Sequence, residues 1–209
     1  MTFRPRLPAS PGRVVIGLRR RSRRPAALLD HARAQSTADV LAASRWDVVV
    51  LQEQSEIPSV EYMRQSSMYP AARDLVAMAR GVGAKPMFFL TWGHRLGWPE
   101  NGIPDYAGMQ SALNAGYLFI AGEQHAEVAP VGAAWSEVAG LESSPDLCDG
   151  SHPTSKGTYL AACVFYAAIF KQSPSGLGYH PWLSGGEATQ FQDVAAATVL
   201  GDPSRWGLS

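Results

Sequence analysis

Cysteine is scarce in this chain, with only Cys148 and Cys163 among 209 residues. Two cysteines are too few for a disulfide framework, and neither lies in a metal-ligand spacing, so a stapled scaffold and a cysteine-based metal site are both excluded. Cys163 falls inside an apolar helical pattern, where a buried free thiol is expected. Long apolar runs are missing too. No stretch approaches the length needed to cross a bilayer, and the head has no continuous apolar segment of the kind a secretory signal needs. Internal repeats are absent. Acidic residues are missing from 1–24, which hold eight arginines, at 4, 6, 13, 19, 20, 21, 23 and 24. The other ten basic residues share 25–209 with all eighteen acids, so that stretch carries a formal −8 while the whole chain is neutral.

The R-R-R-S-R-R run at 19–24 has the look of a twin-arginine export signal or a nucleic-acid contact. The P-A-A-L-L that follows is too short for an export segment, and no aromatic residues interleave for base stacking. Residues 1–25 are therefore read as a basic arm, disordered or foreign to the fold, with no nucleic-acid partner expected. The remainder, with 46% apolar and 17% charged residues in the chain as a whole, suits one globular domain over 26–209. Its Gly-, Ser- and Pro-rich end, 172–209, is expected to be peripheral. As read the chain is cytoplasmic, or exported if a signal was lost with the N-terminus.

From about residue 36 the sequence becomes regular. Ser36 or Thr37 is positioned to cap a helix running to Ser44, with Val40 and Leu41 facing inward. The run W-D-V-V-V-L-Q (46–52) has the uninterrupted β-branched core of a strand buried on both faces. A helix follows over about 69–80, then a second apolar strand in K-P-M-F-F-L-T-W-G (85–93). Pro104 and Asp105 open a long helix to about Gln124. E-V-A-P-V-G (127–132) predicts a third strand and A-W-S-E-V (134–138) a helical turn or more. Thr154 or Ser155 begins an apolar helix to about Phe170, and a last helix spans about 187–199. Such alternation predicts a parallel sheet with helices on both faces. In such sheets functional groups gather at the carboxyl ends of the strands. The residues there are Gln52 to Ser55, Thr91 to His94 and Gly132 to Trp135.

The run D-G-S-H-P (149–153) carries the chemistry. A carboxylate three residues before a histidine, on a tight turn entering a helix, places both side chains on one side of the turn. Asp149 then accepts from one ring nitrogen, which sets the tautomer and stabilises the imidazolium. The other nitrogen of His152 is free to take a proton from a hydroxyl or a water. Gly150 permits the sharp path, and Pro153 suits the first helical turn. Trp92 and His94 follow a strand and are candidates to line a pocket, while Trp98, Trp135 and Tyr106 are expected to pack in the core or a lid.

The stretch D-G-S-H-P-T-S-K-G-T-Y-L-A-A-C-V-F-Y (149–166) resembles the C-terminal motif of the SGNH (GDSL-like) hydrolase superfamily, and Asp149 and His152 match its catalytic acid and base. W-D-V-V-V-L-Q-E-Q-S (46–55) is similar to the third conserved segment in a branch where glutamine replaces Gly-x-Asn-Asp. The resemblance runs from about residue 26 to 180. It implies a three-layer α/β/α sandwich with a parallel, flavodoxin-like sheet, possessing or lacking its first strand. It also implies serine-based hydrolysis of esters, often acyl groups on carbohydrates or lipids, with no metal or organic cofactor. Gln52 then stands where the family's asparagine sits, able to donate to the oxyanion, and Gln54 is a second candidate because alternate residues of an extended segment point the same way.

The resemblance fails at the nucleophile. The family's serine follows the first strand in a Gly-Asp-Ser or Gly-Asn-Ser setting, but G-R-V-V-I-G-L (12–18) is followed by Arg19 to Arg21, and Ser10 and Ser22 lie in unsuitable settings. Where a glycine amide is expected ahead of L-L-D-H-A (28–32), Arg24 and Pro25 stand, and proline has no amide proton. Either the nucleophile segment has been lost through truncation or a frameshift, or another serine serves, with Ser55 the best placed. The expected activity is that of an esterase or deacetylase on a small-molecule ester. The alternatives are an inactive member that binds a carbohydrate or protein ligand in the same cleft, and a truncated product without function.

Overall fold

A computed structural model describes residues 26–140, 146–150 and 152–208, together with the backbone of Val14–Ile16. The elements in chain order are β1 (Val14–Ile16), α1 (Leu28–Arg33), α2 (Gln35–Ala42), β2 (Val48–Leu51), α3 (Glu61–Met63), α4 (Tyr69–Gly81), β3 (Lys85–Phe89), α5 (Tyr106–Glu123), β4 (Glu127–Ala129), α6 (Val131–Ala139), β5 (Cys148–Asp149), β6 (His152–Pro153), α7 (Ser155–Phe170) and α8 (Gly185–Leu200). Strands β1 to β4 form one parallel sheet in sequence order. The sheet thus takes in Val14–Ile16 from the segment read as an arm, and a strand does stand ahead of β2. The arginine run 19–24, Ser10, Ser22 and Pro25 lie outside the described residues, as does Ser151.

Side chains adjacent along a strand point to opposite faces, and β3 uses this to join the layers. Phe88 meets Tyr117 of α5 with ring centroids 6.4 Å apart. Its neighbour Phe89 meets Phe165 of α7 at 4.9 Å, edge to face. Helices α5 and α7 therefore lie on opposite sides of the sheet. Each right-handed crossover from β2 to β3 and from β3 to β4 steps the same way, which sets α4 and α5 on a common face, and α1 packs on α4. On the other face α7 packs against α6 and α8. This is a three-layer α/β/α sandwich, and burial follows from it: all four residues of β2 are buried, as are Met87 and Phe88 of β3.

Most element ends agree with the local chemistry. Asp105 caps α5 by accepting from Gly108 N at 2.8 Å, and Thr154 caps α7 by accepting from Gly157 N at 3.4 Å. Three expectations need correction. Helix α2 begins at Gln35 with no side-chain cap, so neither Ser36 nor Thr37 caps it; Thr37 is buried within the first turn instead. Leu41 faces the core but Val40, turned about 100° from it around the helix, is exposed. The segment 172–209 is not peripheral. Phe191, Val199, Trp206 and Leu208 are buried, because α8 covers the apolar flank that the hydrophobic helix α7 would otherwise present to water.

Candidate active site

The parallel strands β2 and β3 run in register, Leu51 beside Phe88, so the chain leaves both at the same edge of the sheet. After β2, Gln52 is exposed, Glu53 is buried, and Gln54 and Ser55 are half-buried. The Gln54 side chain organises the turn: its Oε1 accepts from the backbone N–H of Glu56 at 3.0 Å and Ile57 at 3.3 Å, and its Nε2 donates to Glu56 Oε2 at 3.4 Å. Glu53 is 1% exposed. Its Oε1 accepts from Leu28 N at 3.0 Å and Gln54 N at 2.7 Å, and its own N–H donates to Tyr117 Oη at 3.1 Å. The second oxygen, Oε2, has no hydrogen-bond partner. Burial pushes the Glu53 carboxyl up to about 7, against the pull of the two N–H donors. Burial also raises the Tyr117 phenol. The neighbouring Thr91 Oγ1 influences that phenol but, buried as it is, completes no hydrogen bond.

The loop after β3 is held as firmly. Gln110 of α5, also buried, accepts from Gly93 N at 2.8 Å and donates to Thr91 O at 3.2 Å and Asn114 Oδ1 at 3.0 Å. The backbone N–H of His94 donates to Met109 Sδ at 3.1 Å. The start of α6 closes against this loop: Gly132 N donates to Leu90 O at 2.8 Å. A Cβ at Gly132 would lie 2.0 Å from Thr91 O, so only glycine permits the approach. Out of this loop His94 projects until its Nε2 stands 3.3 Å from Ser55 Oγ. Trp92, half-buried, stacks on the buried Trp135 at 4.1 Å with planes 8° apart. Trp98 pairs with Ile103 and packs beside Met109 and Leu113.

Asp149 and His152 stand directly opposite each other in the two-strand ladder of β5 and β6. Gly150, at φ +63°, opens the two-residue loop between them in the left-handed region that such tight hairpins require. Helix α7 starts only at Ser155, so Pro153 belongs to β6 and not to the first helical turn as expected. Both Asp149 and His152 are exposed, and among the described residues the side chain of neither forms a hydrogen bond or ion pair. Cβ atoms of directly opposed residues lie about 4.5–5.5 Å apart, within which a carboxylate reaches an imidazole nitrogen by rotation alone.

Between this hairpin and the loop after β3 opens a cleft of about 480 Å³, lined by Gly93, Arg95, Tyr106, Trp135, Asp146 and Cys148 among others. Burial raises both the Tyr106 phenol, which hydrogen-bonds Ser136 Oγ at 3.0 Å, and the Cys148 thiol. Among the described residues no group of three or more acidic, histidine or cysteine side chains is placed to hold a metal ion, and no helix is long and apolar enough to cross a membrane. The structure thus brings Ser55 to His94 and Asp149 to His152, and places Gln54 in its own turn. Sequence reasoning passed over Gln110, and it named Glu53 as a strand-end residue without giving it a role. For Glu53 a signal existed, since it continues the alternation of Val49 and Leu51 on one face of β2. For Gln110, a polar residue within the long helix α5, there was none.

No family model matches this chain, and no curated protein matches it. Two solved structures are similar. A DUF4886 family protein from Bacteroides uniformis superposes with a TM-score of 0.68 at 19% identity, over 78% of this chain; this chain spans 66% of that one. A candidate SGNH hydrolase from Slackia heliotrinireducens superposes with a TM-score of 0.59 at 27% identity, over 69% of this chain and 79% of its own. In fold, this chain is an SGNH-like α/β/α protein.

Proposed function

We propose that this protein is a hydrolase of ester bonds, an esterase or deacetylase working by acyl transfer in the cleft at the carboxyl edge of its sheet. The observation that carries the reading is the opposition of Asp149 and His152 across a tight hairpin whose first strand begins with Cys148, a cleft residue. A carboxylate that rotates onto an imidazole orients the ring and selects its tautomer, and an exposed imidazole has free access to a substrate hydroxyl or a water. His152 is the base in this reading and Asp149 orients it. The likeness in fold to a candidate SGNH hydrolase supports the same class of reaction. The substrate is a small ester, with acylated carbohydrates among the class, and the half-buried Trp92 offers one aromatic edge beside the cleft.

Purified protein should hydrolyse a short-chain aryl ester, and His152→Ala should lower kcat by about 10²–10⁴-fold, the usual range for loss of a general base. Unchanged turnover in that variant would refute the role of His152. A second reading is favoured by the absence of a hydrogen bond between Asp149 and His152 in the free chain: an inactive relative that only binds a carbohydrate or a protein in the cleft. No ester turnover, together with saturable binding of an oligosaccharide panel member by calorimetry, would decide for it.

A further inference from the structure

The turn after β2 and the loop after β3 are far apart in sequence, yet they bring a hydroxyl to an imidazole. Ser55 Oγ and His94 Nε2 are 3.3 Å apart, both half-buried, at the carboxyl edge of the sheet. Neither side chain is carried on a loose loop. The Ser55 turn is tied by the Gln54 side chain to Glu56 and Ile57 and by Glu53 to the first residue of α1. The His94 loop is tied by Gln110 to Gly93 and Thr91 and by Met109 to His94 itself. Reacting groups held by packed supports keep the geometry that acyl transfer needs. Gly93 and Arg95, the residues flanking His94, both line the cleft.

We propose that Ser55 is the nucleophile of this site and His94 its base, which rests on the reading of the chain as an ester hydrolase and supplies the serine that the reading lacks. Ser55 Oγ attacks the ester carbonyl carbon while its proton passes to His94 Nε2. The carbonyl electron pair moves to oxygen, giving a tetrahedral oxyanion. The Ser55 backbone N–H, which donates to no protein acceptor among the described residues, is available to that oxyanion. The intermediate collapses, the bond to the alcohol oxygen breaks, and His94 returns the proton to the departing alcohol. The acyl group is then on Ser55. Water attacks the acyl carbon as its proton passes to the exposed His152; the bond to Ser55 Oγ then breaks, His152 gives that proton back through intervening water to Ser55 Oγ, and the carboxylic acid leaves. Each histidine thus serves one half of the cycle.

The test is to treat the full chain with a fluorophosphonate and map the adduct by peptide mass spectrometry, alongside aryl-ester turnover. A single adduct on the peptide containing Ser55 is expected, and this needs no variant to fold. Ser55→Ala should lose both adduct and turnover, with an unchanged urea midpoint. His94→Ala should slow labelling by about 100-fold or more. His152→Ala should still be labelled and should show a burst of alcohol release followed by slow turnover. An adduct on a different serine, or ester turnover without any adduct, would overturn the assignment of Ser55 while leaving the hydrolase reading in place. Neither turnover nor labelling in the unmodified, folded chain would overturn both.

Discussion

Glu53 makes the stability of this protein depend on pH in a window where few carboxylates act. Its carboxyl is 1% exposed, one oxygen accepts from two backbone N–H groups, and the other has no partner. Burial disfavours the ionised form more than the two donors favour it, so the group titrates at about 7 in the folded chain against 4.5 for an ordinary glutamate. Between these values the folded state holds a proton that the unfolded state has released. The stability contributed by that proton is complete below about pH 4.5 and is lost as pH rises through about 7. The gap, at about 1.4 kcal/mol for each tenfold change in proton affinity, amounts to about 3 kcal/mol. That is a substantial share of the roughly 5–15 kcal/mol that typically holds a domain together. Glu53→Gln is neutral throughout and keeps an acceptor for Leu28 and Gln54. Urea unfolding of both proteins at intervals from pH 4.5 to 8 should show the wild type losing about 3 kcal/mol relative to the variant as pH rises, with equal m-values. Parallel stability curves for the two proteins would show that Glu53 is not held as a buried acid.

Other perturbations probe the supports of the site. A Cβ on Gly157 would meet Leu147 O at 2.2 Å and the Trp135 ring at 2.4 Å, so Gly157→Ala should cost about 2–3 kcal/mol in urea unfolding and lower ester turnover by moving the hairpin that follows Leu147. Gln110→Ala leaves the buried Gly93 N–H and Thr91 carbonyl without their partner; a loss of about 2–3 kcal/mol is expected, together with slower fluorophosphonate labelling as the His94 loop loosens.

The elements were legible because their signals are local. The apolar run 48–51, three valines and a leucine, has no helical period, Asp105 and Thr154 are caps read from residue type, and the strand–helix alternation leaves a parallel sheet as its natural outcome. Val40 shows the limit of that kind of reading: apolar character alone did not tell which of two adjacent residues turned inward, because the facing side is set by what packs on the helix. The segment 172–209 shows it again, since nothing in a Gly- and Ser-rich stretch says that α8 must cover α7.

For the site the division is sharper. Sequence alone determined which residues stand at the carboxyl ends of the strands, and it singled out Asp149 and His152, because strand ends and a four-residue turn are properties of neighbours along the chain. Tertiary structure alone decided that Ser55 meets His94, that Gln54 turns back on its own loop, and that Glu53 is sealed from water. Those facts depend on β2 and β3 lying side by side in one register and on α1 and α5 closing over their ends. No spacing along the chain encodes them, because contact between distant residues is set by the packing of whole elements.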